Sequence, residues 1–158
     1  MPQPSVIVRR VSAHDAALAR LVALSDEYMA DLYPPESNHL EPVAKLAAPN
    51  VVVFGAYAGA ELVGCVAAKS CEADVSYAEV KRLFVLEDHR GAGLAKLLMS
   101  RLEEHLRQSG IFIARLETGV KQPEALRLYE RLGYVYRPPF AAYRLDPLSV
   151  FMEKRLAT

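Results

Sequence analysis

The sequence predicts a single mixed α/β domain with its elements in the order β-α-α-β-β-β-α-β-α-β-β. Three observations carry that expectation. Between Ala78 and Gly110 the apolar residues pass from strand alternation to helical spacing, so a strand runs into a helix. Two strand-like runs, Val51 to Ala58 and Glu61 to Ser70, meet at Gly59-Ala60, a hairpin signal. No internal repeat, low-complexity segment or linker divides the chain, and 158 residues suit one domain spanning 1–158.

Taken in order, Ser5 to Val11 reads as the first strand. Ser12, with Asp15 close behind, reads as a helix N-cap followed by a first-turn acid. The helix runs to about Leu32, with Ala17, Leu18, Leu21, Leu24, Tyr28 and Leu32 near one face. Tyr33 to Asn38, which holds Pro34 and Pro35, breaks it. A short helix is expected from Pro42 to Ala48. After the hairpin, Tyr77 to Leu86 is a third strand. The next helix carries Leu94, Leu97, Leu98, Leu102 and Leu106 on one stripe and stops at Gly110. Ile111 to Thr118 is apolar at its start, as a central strand should be. Pro123 opens a helix ended by Gly133; Tyr134 to Arg137 is a short strand, Pro138 to Pro147 a loop, and Ser149 to Arg155 the last strand.

Composition removes several function classes. Lys plus Arg and Asp plus Glu number 19 each, which leaves no net footprint for nucleic acid or an acidic membrane. Cys65 and Cys71 lack a metal-ligand spacing, so no metal is expected, and reduced thiols suit a cytoplasmic protein. Met1 to Pro4 carries no signal-peptide pattern, and no apolar run approaches the ~20 residues that cross a bilayer.

The turn Arg90-Gly91-Ala92-Gly93-Leu94-Ala95, between strand and helix, leaves several N–H groups aimed at one place with the helix dipole behind them. It reads either as a tight turn between packed elements or as a phosphate site. A P-loop needs Gly-Lys-Ser/Thr where Gly93-Leu94-Ala95 stands. A dinucleotide fold accepts Gly91 and Gly93 but meets Lys96 at its third small position; Glu117 could then imitate the ribose-binding acid. The hairpin-rich first half argues against that fold.

Arg90-x-x-Gly93-x-Ala95 resembles the Q/R-x-x-G-x-G/A signature of the GNAT superfamily of acetyl-CoA-dependent N-acetyltransferases. Ala125 to Tyr134, with Leu128, Tyr129 and Gly133, is similar to the family's A-x-x-L-Y-x-x-x-G-F/Y helix. The element order is the family's too, and LYPPES and DPLSVFMEK resemble segments of its small stand-alone bacterial members.

The resemblance implies a mixed central sheet whose middle strands, 79–86 and 111–118, splay to admit the pantetheine arm of acetyl-CoA. Leu83, Phe84 and Val85 would offer it backbone groups, as a strand does to an added strand. Arg90, Gly91, Ala92, Gly93, Leu94, Ala95 and Lys96 would hold the diphosphate, while Gln122 stands where many members have asparagine. Tyr129 would protonate or hydrogen-bond the leaving thiolate; its alternative is a core tyrosine on an apolar stripe. Glu79 would be the general base for an amine of pKa about 10; its alternative is a strand glutamate paired with a neighbouring lysine or arginine, such as Arg82 or Arg115. The acceptor would lie between 28–40 and 136–147, where Tyr33, Arg137 and Arg144 are candidate substrate contacts and His39 reads as surface. Arg137 or Arg144 would grip a carboxylate, or else are solvated charges. The expected acceptor is a small-molecule primary amine. A protein N-terminus or lysine, and a non-catalytic acyl-CoA-binding module, are the alternatives. Homodimers are common in the family, though no residue pattern here selects one.

Overall fold

The computed structural model describes residues 5–38 and 41–157; Met1 to Pro4 and His39 lie outside them. Seven strands form one sheet in the order β1-β2-β3-β4-β5-β7-β6. They are β1 (Val6–Arg10), β2 (Val51–Ala58), β3 (Glu61–Glu72), β4 (Ser76–Val85), β5 (Ile113–Gly119), β6 (Val135–Arg137) and β7 (Ser149–Arg155). β1 to β4 run antiparallel in sequence order, β4 and β5 pair in parallel, and β7 lies antiparallel between β5 and β6. The helices are α1 (Ala16–Leu32), α2 (Leu94–Gln108) and α3 (Pro123–Arg131). The stretch expected as a short second helix forms a 3-10 turn, Val43–Ala47.

Two faces of the sheet bury different helices. α2 sets Leu94, Leu98, Leu102 and Leu106 against Phe54, Val66, Val80 and Leu116, and Tyr129 of α3 joins the same cluster. α1 packs Leu18, Leu21 and Val22 on the other face, against Val53, Cys65 and Ala67. A third cluster, Tyr77, Phe140 and Phe151, lies beneath the loop that precedes β7. Both expected stripes shift slightly. Leu97 is 49 % exposed and Leu24 42 %, while Val22 and Ser25 complete the buried face of α1 at positions one and two turns along.

Helix ends follow local hydrogen-bonding rules, with one correction. Asp15 caps α1, its carboxylate accepting from Ala17 N at 2.8 Å; Ser12 instead accepts from His14 N. At the other ends Gly110 and Gly133 adopt positive φ. Ile111 N then reaches Leu106 O, and Tyr134 N reaches Tyr129 O, closing the paired bonds of a Schellman cap.

Pairing is short at the middle of the sheet. β4 and β5 pair only through Ala78–Ala114, Glu79–Arg115 and Val80–Leu116. Just beyond, β4 bulges, because Lys81 opposes Ala67 and Phe84 opposes Cys65. Arg82 sits in the bulge at φ 61°, a conformation that costs a non-glycine residue roughly 1–2 kcal/mol. Its guanidinium pairs with Asp26 of α1 and donates to the Glu41 carbonyl, so the bend in β4 is tied to two other segments. The strands therefore part after Val80.

Candidate functional site

A cavity of about 680 Å³ lies along the end of β4, between the turn that opens α2 and the residues of α3. Leu83, Phe84, Val85, Arg90, Gly91, Gly93, Leu94, Ala95, Lys96 and Gln122 all line it; of the expected cofactor contacts only Ala92 does not. Tyr28, His89 and Arg131, which the motif does not include, line it as well. Gly93 caps α2 at φ 80° and Gly91 has φ 82°. A Cβ at either position would meet no described atom within 4 Å. Glycine is there for the backbone conformation and for whatever approaches the turn, not for lack of room. The first helical bond of α2 is Leu97 N to Gly93 O, leaving the amides of Leu94, Ala95 and Lys96 without helical acceptors at the positive end of the dipole. His89, Lys96 and Arg131 add positive or protonatable groups around them.

The backbone of β4 alternates as an open edge should. Leu86 N donates to Val63 O of β3, so Phe84 also faces β3, while Leu83 and Val85 turn their groups into the gap. Phe84 contributes its ring rather than its amide. One of the open acceptors is covered: Arg90 Nε donates to Val85 O at 2.8 Å, and the guanidinium stacks 5.1 Å from the Tyr28 ring and 5.4 Å from the Phe84 ring.

Tyr129 lies one layer behind this cavity. Its α3 neighbours Ala125, Leu128 and Leu132 line the wall, whereas its own ring is 6 % exposed and packs edge-on against Tyr134 at 5.7 Å. Tyr134 is held in turn by Glu103, which also accepts from Lys154 Nζ at 2.6 Å. Burial first, and then the charge of Glu117, push the Tyr129 phenol far above the usual tyrosine range. A phenol so placed keeps its proton at neutral pH, so Tyr129 can donate a hydrogen bond to a developing anion but is a poor source of a free proton.

On the α1 face, Glu79 is 6 % exposed and accepts from Tyr143 Oη at 2.5 Å, with Lys81 Nζ at 3.8 Å. Of the neighbouring cations weighed as its partner, a lysine, Lys81, takes that place and neither arginine does: Arg82 binds Asp26, and Arg115 Nε lies 2.7 Å from Glu153. Tyr143 comes from the loop before β7, so a loop and a strand meet at this carboxylate. Burial, then the charge and hydrogen bond of Glu79, raise the Tyr143 phenol beyond the range in which it ionises.

The three expected substrate contacts separate. Tyr33 is buried, accepts from Lys121 N at 3.0 Å and donates to Gln122 Oε1 at 3.3 Å. Its hydroxyl stands 1.8 Å from where a Cβ on Gly119 would be, so the end of α1 is keyed into the end of β5. Arg137 donates to Glu153 at 2.6 Å and to Pro138 O at 2.9 Å, which engages it within the fold. Arg144 is exposed. Glu117, weighed earlier only for a ribose, is the residue the motifs miss. It stands half-buried near the C-terminal end of β5, and its charge bears on Tyr33, Tyr129 and Tyr143. An acid near the carboxyl end of a central parallel strand was the available signal.

Comparison with known proteins agrees with this arrangement. The model of the acetyltransferase (GNAT) family matches residues 19–134. The Azospirillum brasilense protein named IAA acetyltransferase is 40% identical over 153 residues, covering 97% of this chain and 99% of its own. Bacillus subtilis YsnE, an uncharacterized N-acetyltransferase, is 35% identical over 151 residues, with 92% and 99% covered. Among solved structures, the PaiA N-acetyltransferase of Thermoplasma acidophilum in complex with coenzyme A has the same fold. Its TM-score is 0.74 at 21% identity, with 96% of this chain and 99% of that one covered.

Proposed function

This chain belongs to the GNAT family of acetyltransferases and is an acetyl-CoA-dependent N-acetyltransferase; we propose that its acceptor is the primary amine of a small molecule, acetylated by direct attack while both substrates are bound. The observation that carries this reading is continuity. The amide cradle at 91–96, the open backbone of Leu83 and Val85 and the carboxylate of Glu79 follow one strand–turn–helix, with Glu79 reached from the opposite face of β4.

Acetyl-CoA supplies an acetyl group already activated as a thioester. The chain's residues do the rest. Amides of Leu94, Ala95 and Lys96 hold the diphosphate, which suits the conformation and open surroundings of Gly91 and Gly93. Val85 and Leu83 orient the arm through their backbone, and an N–H from this edge polarises the carbonyl that is attacked. Arg90, which lines the same cavity, would add a charged contact to the diphosphate if it gave up the Val85 carbonyl. Glu79 takes a proton from the incoming ammonium, and Tyr143 keeps that carboxylate in place. Tyr129 is the donor assigned to the departing sulfur; its phenol lies behind Ala125, Leu128 and Leu132, so that hydrogen bond, made without losing its proton, requires the wall to part.

The test is a turnover screen with acetyl-CoA against amines, amino acids and peptides, reading CoA release together with the N-acetyl product by mass. Turnover confined to small amines is the expected result. Preference for peptides would assign a protein acceptor. Tight CoA binding with no acetylated product would leave a binding module.

A further inference from the structure

A second cavity, of about 180 Å³, lies on the α1 face of the sheet beside the Val43–Ala47 turn. Lys45, Lys69, Lys81 and Arg82 border it, and Glu41 is its one carboxylate among the described residues. Arg82 is engaged by Asp26 and the Glu41 carbonyl. Lys81 Nζ lies 3.2 Å from the Glu41 carboxylate, and Lys45 and Lys69 line the same cavity. Burial opposes ionisation there, yet the Lys81 hydrogen bond and the charges of Lys81, Lys69 and Lys45 hold the Glu41 carboxyl below its ordinary range. Three ammonium groups thus face two carboxylates, Glu41 and Glu79, which leaves a surplus positive charge in a concave site.

Lys81 joins this cavity to the chemistry. Its ammonium lies 3.2 Å from Glu41 on one side and 3.8 Å from Glu79 on the other. An anion taking the place of the Glu41 carboxylate would therefore stand one ammonium away from the proposed base. The Glu41 side chain is 41% exposed, so it can turn out to water, and solvent screening leaves a pair of this kind weak. The arginines that might have served an acidic acceptor do not compete: Arg137 is held by Glu153, and Arg115 by the same carboxylate.

We propose that this cavity is the acceptor's anion subsite: the substrate is a short primary amine bearing a carboxylate or phosphonate, gripped by Lys45, Lys69 and Lys81, and Glu41 is a built-in occupant that it displaces. The assignment rests on the acetyl-transfer reading above and names the substrate class for that site.

The experiment pairs each amine as acid and as neutral amide, using α- and ω-amino acids, their amides and matched aminoalkylphosphonates. In the wild type kcat/KM is higher for the acids. In a Lys45→Gln/Lys69→Gln double variant KM for the acids rises about tenfold, equivalent to ~1.4 kcal/mol, while kinetics with the amides stay the same. Glu41→Gln lowers KM for the acids alone. Any preference between the carboxylate and phosphonate series tells which anion the subsite takes. Equal use of acid and amide, or a variant that slows both alike, overturns the proposal while acetyl transfer stands. Calorimetric binding of the N-acetylated acids and amides supplies a readout independent of turnover. If the acids bind through the lysines but no amine is acetylated, the acetyl-transfer reading falls and the anion subsite remains.

Discussion

The side proposed to hold the acetyl donor and the side proposed to hold the acceptor are built from different materials. Around 83–96 the working groups are main-chain amides and carbonyls, set by two glycines at positive φ and the start of α2. Around Glu79 the groups are side chains brought together from β3, β4 and the loops at 41–50 and 138–147. A backbone site tolerates many side-chain changes but no change of conformation. A side-chain site tolerates backbone adjustment but loses its function with a single atom. The first kind suits a ligand shared by many enzymes; the second suits the partner that differs among them.

Four substitutions test this contrast, from the largest effect to the smallest. Tyr129→Phe removes one hydroxyl and is expected to lower kcat by about 100-fold or more, with acetyl-CoA binding within about twofold. Single-turnover kinetics beside a CoA titration would check it, and unchanged turnover would reduce Tyr129 to a core residue. Glu79→Gln should cost about 100-fold in rate at neutral pH and recover part of it toward the pKa of the acceptor amine, about 10, where the free amine is abundant. A uniform loss across the pH profile would mean that Glu79 only anchors Tyr143.

Gly93→Val attacks the donor side through its backbone. It should raise KM for acetyl-CoA about tenfold, because φ 80° strains a β-branched residue and its side chain enters the cradle. The acid-to-amide preference should survive, which steady-state kinetics with both acceptors would show. Gly119→Ala is the mildest of the four for chemistry. The added methyl meets the Tyr33 hydroxyl, so stability should fall by about 1–3 kcal/mol, and thermal unfolding would report a Tm lower by several degrees. A loss of activity without a loss of Tm would instead place Tyr33 in contact with the substrate.

That residues between Leu83 and Lys96 line one cavity was legible in the sequence because they are neighbours in the chain. Strand, glycines and helix run consecutively from β4 to α2, and the same local rules that shape the turn also shape the site. The acceptor side was not, because its contacts span the chain. Glu79 meets Tyr143 across 64 positions, and Arg82 meets Asp26 across 56. Nothing in residue type distinguishes a Glu79 bound by Tyr143 from one bound by Arg115 until the loop before β7 is in place. The helix cap shows the same limit at short range. Ser12 and Asp15 are both good caps, and only the direction in which the chain leaves β1 decides between them.

The parting of β4 and β5 places two unpaired strand edges inside a seven-stranded sheet. Unsatisfied edges of this sort recruit foreign strands, and proteins ordinarily guard them with charge or cover. Here Arg90 does the guarding, since it sits on the Val85 carbonyl and brings a positive charge to the mouth of the opening. One side chain thereby supplies the hydrogen bond that a neighbouring strand would otherwise give to this acceptor of the parted edge.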